Sequence, residues 1–163
     1  MVYAWLSGIA HCKVVGMLSS ILKISLLTLA MAVGALLVQT SLWPPAPGTP
    51  SPVGVQLVLF AGLSVLSALT FGAGISFLVF GLPFVRRTAA VANVPAWPVY
   101  LAIGWSLVSW WPHNNLHLAN GADLSGLIAI EYGFHVSLYV TALVVAWFFL
   151  ASLRTTGAQQ GAG

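Results

Sequence analysis

Apolar and polar positions follow one another along this chain in long blocks rather than in short amphipathic repeats. Between Lys23 and Arg86 there is no Asp, Glu, Lys or Arg. A bilayer core of about 30 Å takes roughly 20 apolar residues of helix, so uncharged runs of that length bounded by turn signals predict transmembrane helices. Four such runs occur, at residues 24–43, 55–84, 91–111 and 124–153. Pro44 and Pro45 stop the first, and the Pro/Gly/Ser/Thr-rich residues 46–54 read as an exposed loop. Arg86 and Arg87 end the second. Pro95 and Pro98 are tolerable near the start of the third, where Trp97, Trp110 and Trp111 take the places of interfacial aromatics. Arg154 ends the fourth, and residues 155–163 predict a disordered tail.

Between the third and fourth runs, Pro112 suits a first helical residue and Asn120-Gly121 a helix stop, which predicts a short outer helix over 112–119. The expected fold is therefore an all-α integral membrane protein. It comprises one domain over residues 1–154, a bundle of four transmembrane helices with an interfacial helix between the third and fourth. Lys13, Lys23, Arg86, Arg87 and Arg154 all fall on one side of this topology, while the loops around 44–53 and 112–123 contain no Lys or Arg. Because basic residues mark the cytoplasmic side, both termini are expected there, in a plasma (inner) membrane. The competing reading makes the first run a cleaved signal, with Ala30 and Ala32 as small residues near the cut. Its apolar stretch continues to Val38, which suits a retained anchor better. Residues 1–13, with Tyr3 and Trp5, are apolar enough to lie along the inner interface.

Composition agrees, with 60% hydrophobic and 4% charged residues; a water-soluble domain of this kind would expose too large an apolar surface. The net charge of +3 does not point to nucleic acid, because the five Lys/Arg are scattered among helix ends. The lone cysteine, Cys12, cannot close an internal disulfide and reads as a structural thiol.

Ser64, Ala68, Gly72 and Ser76 recur every fourth residue and form one small-residue face, the kind that brings membrane helices into close contact. Ala30 and Gly34 offer a shorter version on the first helix. The contact is therefore either with that helix or with a second copy of the chain or another membrane subunit.

Three of the four histidines and both acidic residues lie between His113 and His135. His113 and His117, four apart, share a helix face and suit one metal ion; water and headgroups would satisfy them equally. Leu127, Glu131, His135 and Tyr139 form one stripe descending into the membrane, Glu131 roughly 6 Å and His135 about 12 Å below Leu127. A carboxylate at that depth, with no Lys or Arg on its side, needs protonation, a histidine hydrogen bond or a bound cation. His113, His117, Glu131 and His135 together make a candidate site for zinc, copper or iron, and the lack of thiolates argues against an iron–sulfur cluster. A b-type haem held by His117 and His135 is the weaker alternative. Asp123 reads better as a helix N-cap than as a ligand, and Asn114 and Asn115 as turn or interfacial groups.

No phosphate loop, dinucleotide fingerprint, paired-histidine protease motif or serine elbow is present. The functions that fit are a metal-binding accessory protein or subunit of a membrane redox or transport assembly, and a metal-free assembly subunit whose polar cluster only fixes helix packing. Transport by one copy would call for a broken helix or a longer polar line. Were the chain an enzyme, Glu131 would serve as base beside a metal-activated water, but no catalytic residue or substrate is indicated.

Overall fold

The computed structural model describes residues 2–120 and 126–160, with side chains over 18–120 and 126–155. It is all helical over these residues: α1 (Val2–Leu42), α2 (Val55–Phe80), α3 (Leu82–Val91), α4 (Ala96–Val108), α5 (Trp110–Asn120) and α6 (Ile128–Gln160). Three segments are long and apolar enough to cross a membrane, namely Leu18–Leu42, Val55–Phe80 and Ile128–Thr155. The chain is thus a helical protein built for a lipid environment.

The helices form a row rather than a closed bundle. Helix α1 packs on α2, α2 on α4 and α5, and α4 on α6, which leaves α1 and α6 at the two edges. In lipid no hydrophobic drive closes such a row, because the acyl chains solvate an apolar edge as well as another helix would. The outer faces of the edge helices accordingly present residues such as Leu37 and Leu143 almost fully.

The small-residue face of α2 meets α1. A Cβ on Gly72 would run into the Thr28 carbonyl and the Ala32 amide of α1, so only glycine permits this approach. Above and below it, Ala68 packs with Ala32 and Ala35, and Ser76 shares a 2.8 Å hydrogen bond with Thr28. Gln39 Nε2 donates to Ser64 Oγ at 3.3 Å. The face that α1 uses is therefore Thr28, Ala32, Ala35 and Gln39, whereas Ala30 is exposed and nothing lies near Gly34. Within the chain this contact fills the stripe that was also a candidate for self-association.

Several boundaries differ from the expected ones, and α1 already begins at Val2 rather than near residue 24. The second helix ends at Phe80 rather than at residue 84, because Gly81 and Pro83 interrupt it and Pro83 has no N–H to continue the ladder. Arg86 and Arg87 thus sit on α3, exposed opposite buried Val85 and Ala89, with the Arg86 guanidinium 5.6 Å from the Trp97 ring centroid. Asn93, at φ 52°, turns the chain into α4.

A further difference concerns the third run and the outer helix. Helical bonding continues through Ser109, whose N–H donates to Trp105 and whose carbonyl accepts from His113. The break between α4 and α5 falls at Ser109, because Pro112 has no N–H to donate to the Val108 carbonyl. Both pieces lie antiparallel along α2 in one register. Gly104 meets Leu78, Gly74 meets Val108, Phe71 meets Trp111, and Asn114 Nδ2 lies 3.4 Å from Ser67 Oγ. Pro112 is therefore the third residue of α5 and not its first. The α5 helix runs beside α2 instead of lying outside it, because Trp111 fills the space left by Ala32, Ala35 and Ala68.

At the other end, α6 continues to Gln160, beyond Arg154 and through Gly157. Gly121, Asp123 and the expected start of the fourth run at Leu124 lie outside the described residues, as does the Cys12 side chain. Ser109 Oγ is buried with no hydrogen-bond partner among the described residues. Replacing Ser109 by alanine should therefore raise thermal stability in detergent by about 1 kcal/mol, the cost of an unpaired buried hydroxyl.

Candidate metal centre

Four side chains from two helices converge where α5 faces the start of α6. His113 Nε2 lies 3.3 Å from Glu131 Oε2, and His117 Nε2 is 3.1 Å from Glu131 Oε1. His135 Nδ1 is 3.2 Å from the same Oε1, and the His113 and His117 Nε2 atoms are 3.2 Å apart. The spacing of four within each helix stacks His113 on His117 and Glu131 on His135, and the antiparallel packing of α4–α5 on α6 brings the pairs together. Trp105 Nε1 donating to Ser137 Oγ at 2.9 Å, and Ser106 Oγ 3.0 Å from Thr141 Oγ1, hold the two helices in this register.

His113, Glu131 and His135 each offer one ligand atom within 4.8 Å of the others. His117 adds contacts to two of the three. Glu131 and His113 are shielded, with side chains 15% exposed, while His117 and His135 are 40% and 44% exposed and form the open side. Phe134 covers the shielded side, its ring 5.2 Å from His113 and 6.3 Å from Trp105.

These contacts are short but poorly served by hydrogen bonding. Glu131 Oε2 is buried without a hydrogen-bond partner among the described residues although His113 Nε2 is near, so the direction is wrong for an N–H donor. His113 Nε2, with one proton or one lone pair, cannot satisfy both His117 and Glu131. A tetrahedral ion with bonds of about 2.0–2.1 Å holds its ligand atoms roughly 3.3–3.4 Å apart; the contacts here are slightly shorter, 3.1–3.3 Å, and engage both Glu131 oxygens. His135 Nδ1 is also 3.0 Å from the Glu131 carbonyl oxygen. His135 Nδ1 therefore has two oxygens in reach, that carbonyl and Glu131 Oε1. The His113–Glu131–His135 group could thus hold a metal ion.

Neither a family model, a curated protein nor a solved structure matches this chain.

The remaining sequence candidates fall elsewhere. Tyr139 completes the α6 stripe but is 70% exposed and takes no part in the cluster. Asn115 is buried, its Nδ2 donating to the Trp111 carbonyl at 2.8 Å, and so serves packing inside α5. Asp123 lies outside the described residues. Gln39 and Phe134 beside the site were not singled out by sequence, and Ser64 was singled out only for helix packing. Gln39, the one side-chain amide in the first apolar run, carried a signal of its own, since a polar group at that depth needs a partner.

Proposed function

We propose that the chain is a membrane metal-binding protein whose ion is held near the outer face by His113, Glu131 and His135, with His117 as the fourth ligand. The observation that carries this reading is the convergence of His113, Glu131 and His135, whose ligand atoms lie within 4.8 Å of one another, around a Glu131 Oε2 that is buried without a hydrogen-bond partner among the described residues. Three imidazoles and one carboxylate suit zinc, copper or iron(II). A haem between His117 and His135 fits less well, because both reach the same Glu131 oxygen and the carboxylate takes the place of the macrocycle.

In this reading α4 and α5 together make the third of four membrane passes. The unbroken antiparallel register along α2 supports it, and α5 then stands in the outer half of the bilayer rather than at its surface. Both termini face the cytoplasm, following the five basic residues. The protein acts as an accessory factor or subunit of a larger redox or transport assembly, with the bare edges of α1 and α6 available to membrane partners or further copies.

The test is metal content. Protein purified in detergent and supplied with zinc, copper(I) or iron(II) should carry close to one ion per chain by elemental analysis, and an E131A/H135A double variant should carry none. Equal content in both proteins would refute the site and leave the cluster as a packing network.

A further inference from the structure

A cavity of about 380 Å³ lies directly beside the metal cluster, between the end of α1, the proline-rich loop, the outer part of α2, and α5. His117 belongs to both: its Nε2 faces Glu131, and the residue lines the cavity. Loop 43–54 closes the cavity because it is tied down at two points. The Ala46 N–H donates to the Ala119 carbonyl of α5 at 2.9 Å, and Trp43 packs edge-on to Trp111 with centroids 4.8 Å apart.

The lining has a chemical character. No Lys, Arg, Asp or Glu borders it, so nothing offsets the charge of an ion brought in from water. Gln39, Thr49, Ser51 and Ser64 supply neutral hydrogen-bonding groups, and Leu57 and Phe60 supply an apolar wall. A pocket of this size with few polar groups on an apolar wall is of the kind that takes small organic ligands. An uncharged ring with one hydroxyl matches both surfaces.

We infer that this cavity is a ligand-binding chamber adjoining the metal site, and that it admits an uncharged, ring-sized amphiphile whose hydroxyl group meets the neutral polar groups on the His117 side. The inference rests on the metal reading above, since His117 is the link between chamber and ion.

The probe is 2-naphthol, with 2-naphthoate as its charged counterpart, on the full-length chain in nanodiscs against protein-free nanodiscs. The chamber predicts saturable binding of one 2-naphthol per chain, at least tenfold weaker binding of 2-naphthoate, and at least a tenfold loss in A61W, which fills the cavity from an exposed position on α2. S51W makes the same obstruction from the loop, should A61W fail to fold. On cobalt-loaded protein, 2-naphthol should shift the visible cobalt spectrum in the wild type and not in either filled variant. Absence of saturable binding, or binding unchanged in both variants, would overturn the chamber even where metal is held at full stoichiometry. Binding that A61W abolishes in a protein holding no metal would instead sink the metal reading, and with it the link to His117.

Discussion

Single substitution of Glu131 by alanine is expected to weaken zinc binding by roughly a hundred- to a thousandfold. Structural zinc sites bind with about 10–16 kcal/mol, so one of four ligands accounts for roughly 3–4 kcal/mol, and each 1.4 kcal/mol is a factor of ten. Glu131 is the ligand to test first because its carboxylate touches all three histidines. H113A should cost as much. H117A should cost less, since His117 lies outside the compact trio and its side chain is 40% exposed. Competition with a chromogenic chelator gives the order, and equal affinities across the series would show that zinc sits elsewhere. E131A should leave thermal stability of the metal-free protein nearly unchanged or improve it, because it removes a buried oxygen that lacks a partner among the described residues.

Enlarging Gly72 is the change expected to damage the fold most. Overpacking a tight contact usually costs about 1–3 kcal/mol, and more where the neighbour is main chain and cannot rotate away. At Gly72 the neighbours are the Thr28 carbonyl and the Ala32 amide, so G72L must push α1 off α2 and break the Thr28–Ser76 hydrogen bond. We expect a loss of at least about 3 kcal/mol. In a background carrying T28C and S76C, oxidation should cross-link α1 to α2 readily, and G72L should suppress that cross-link. G34L is the matched control: it makes the same chemical change on α1 where nothing lies within 4 Å, and should leave both stability and cross-linking intact.

Much of this was legible in the sequence because charge is so scarce in it. A stretch from Lys23 to Arg86 without a formal charge admits few structures, and the runs that became α1, α2 and α6 could be placed from length and apolarity alone. The spacing of Ser64, Ala68, Gly72 and Ser76 marked the correct face of α2. It did not mark the matching face of α1, where Thr28 and Gln39 serve through hydrogen bonds rather than small size. The helix boundary at Trp110-Trp111-Pro112 differed from the expected one, with Pro112 third rather than first in α5. Adjacent tryptophans followed by proline resemble the end of a span at the interface, but Trp111 is buried between α1 and α2, and helical bonding runs on through Ser109. That depends on the volume that three alanines on two other helices leave empty, which no local pattern encodes.

The candidate ligands stood out for the same reason as the spans, since a carboxylate and an imidazole at depth on one face demand compensation. Their convergence did not stand out. It requires α5 to lie along α2 and α6 to lie along α4, a juxtaposition set by packing residues such as Gly74, Gly104 and Trp105. The row arrangement, with α1 and α6 apart, was equally invisible, because the same apolar surface serves for contact with lipid and with protein.

The most direct test of the central claim is zinc K-edge X-ray absorption on the full-length protein in detergent, beside H113A and E131A. The account predicts about four nitrogen or oxygen neighbours at 2.0–2.1 Å, with the outer-shell scattering of imidazole rings, in the wild type, and a weaker imidazole contribution in H113A. A six-oxygen spectrum like that of the hydrated ion, or an identical spectrum in all three proteins, would contradict it.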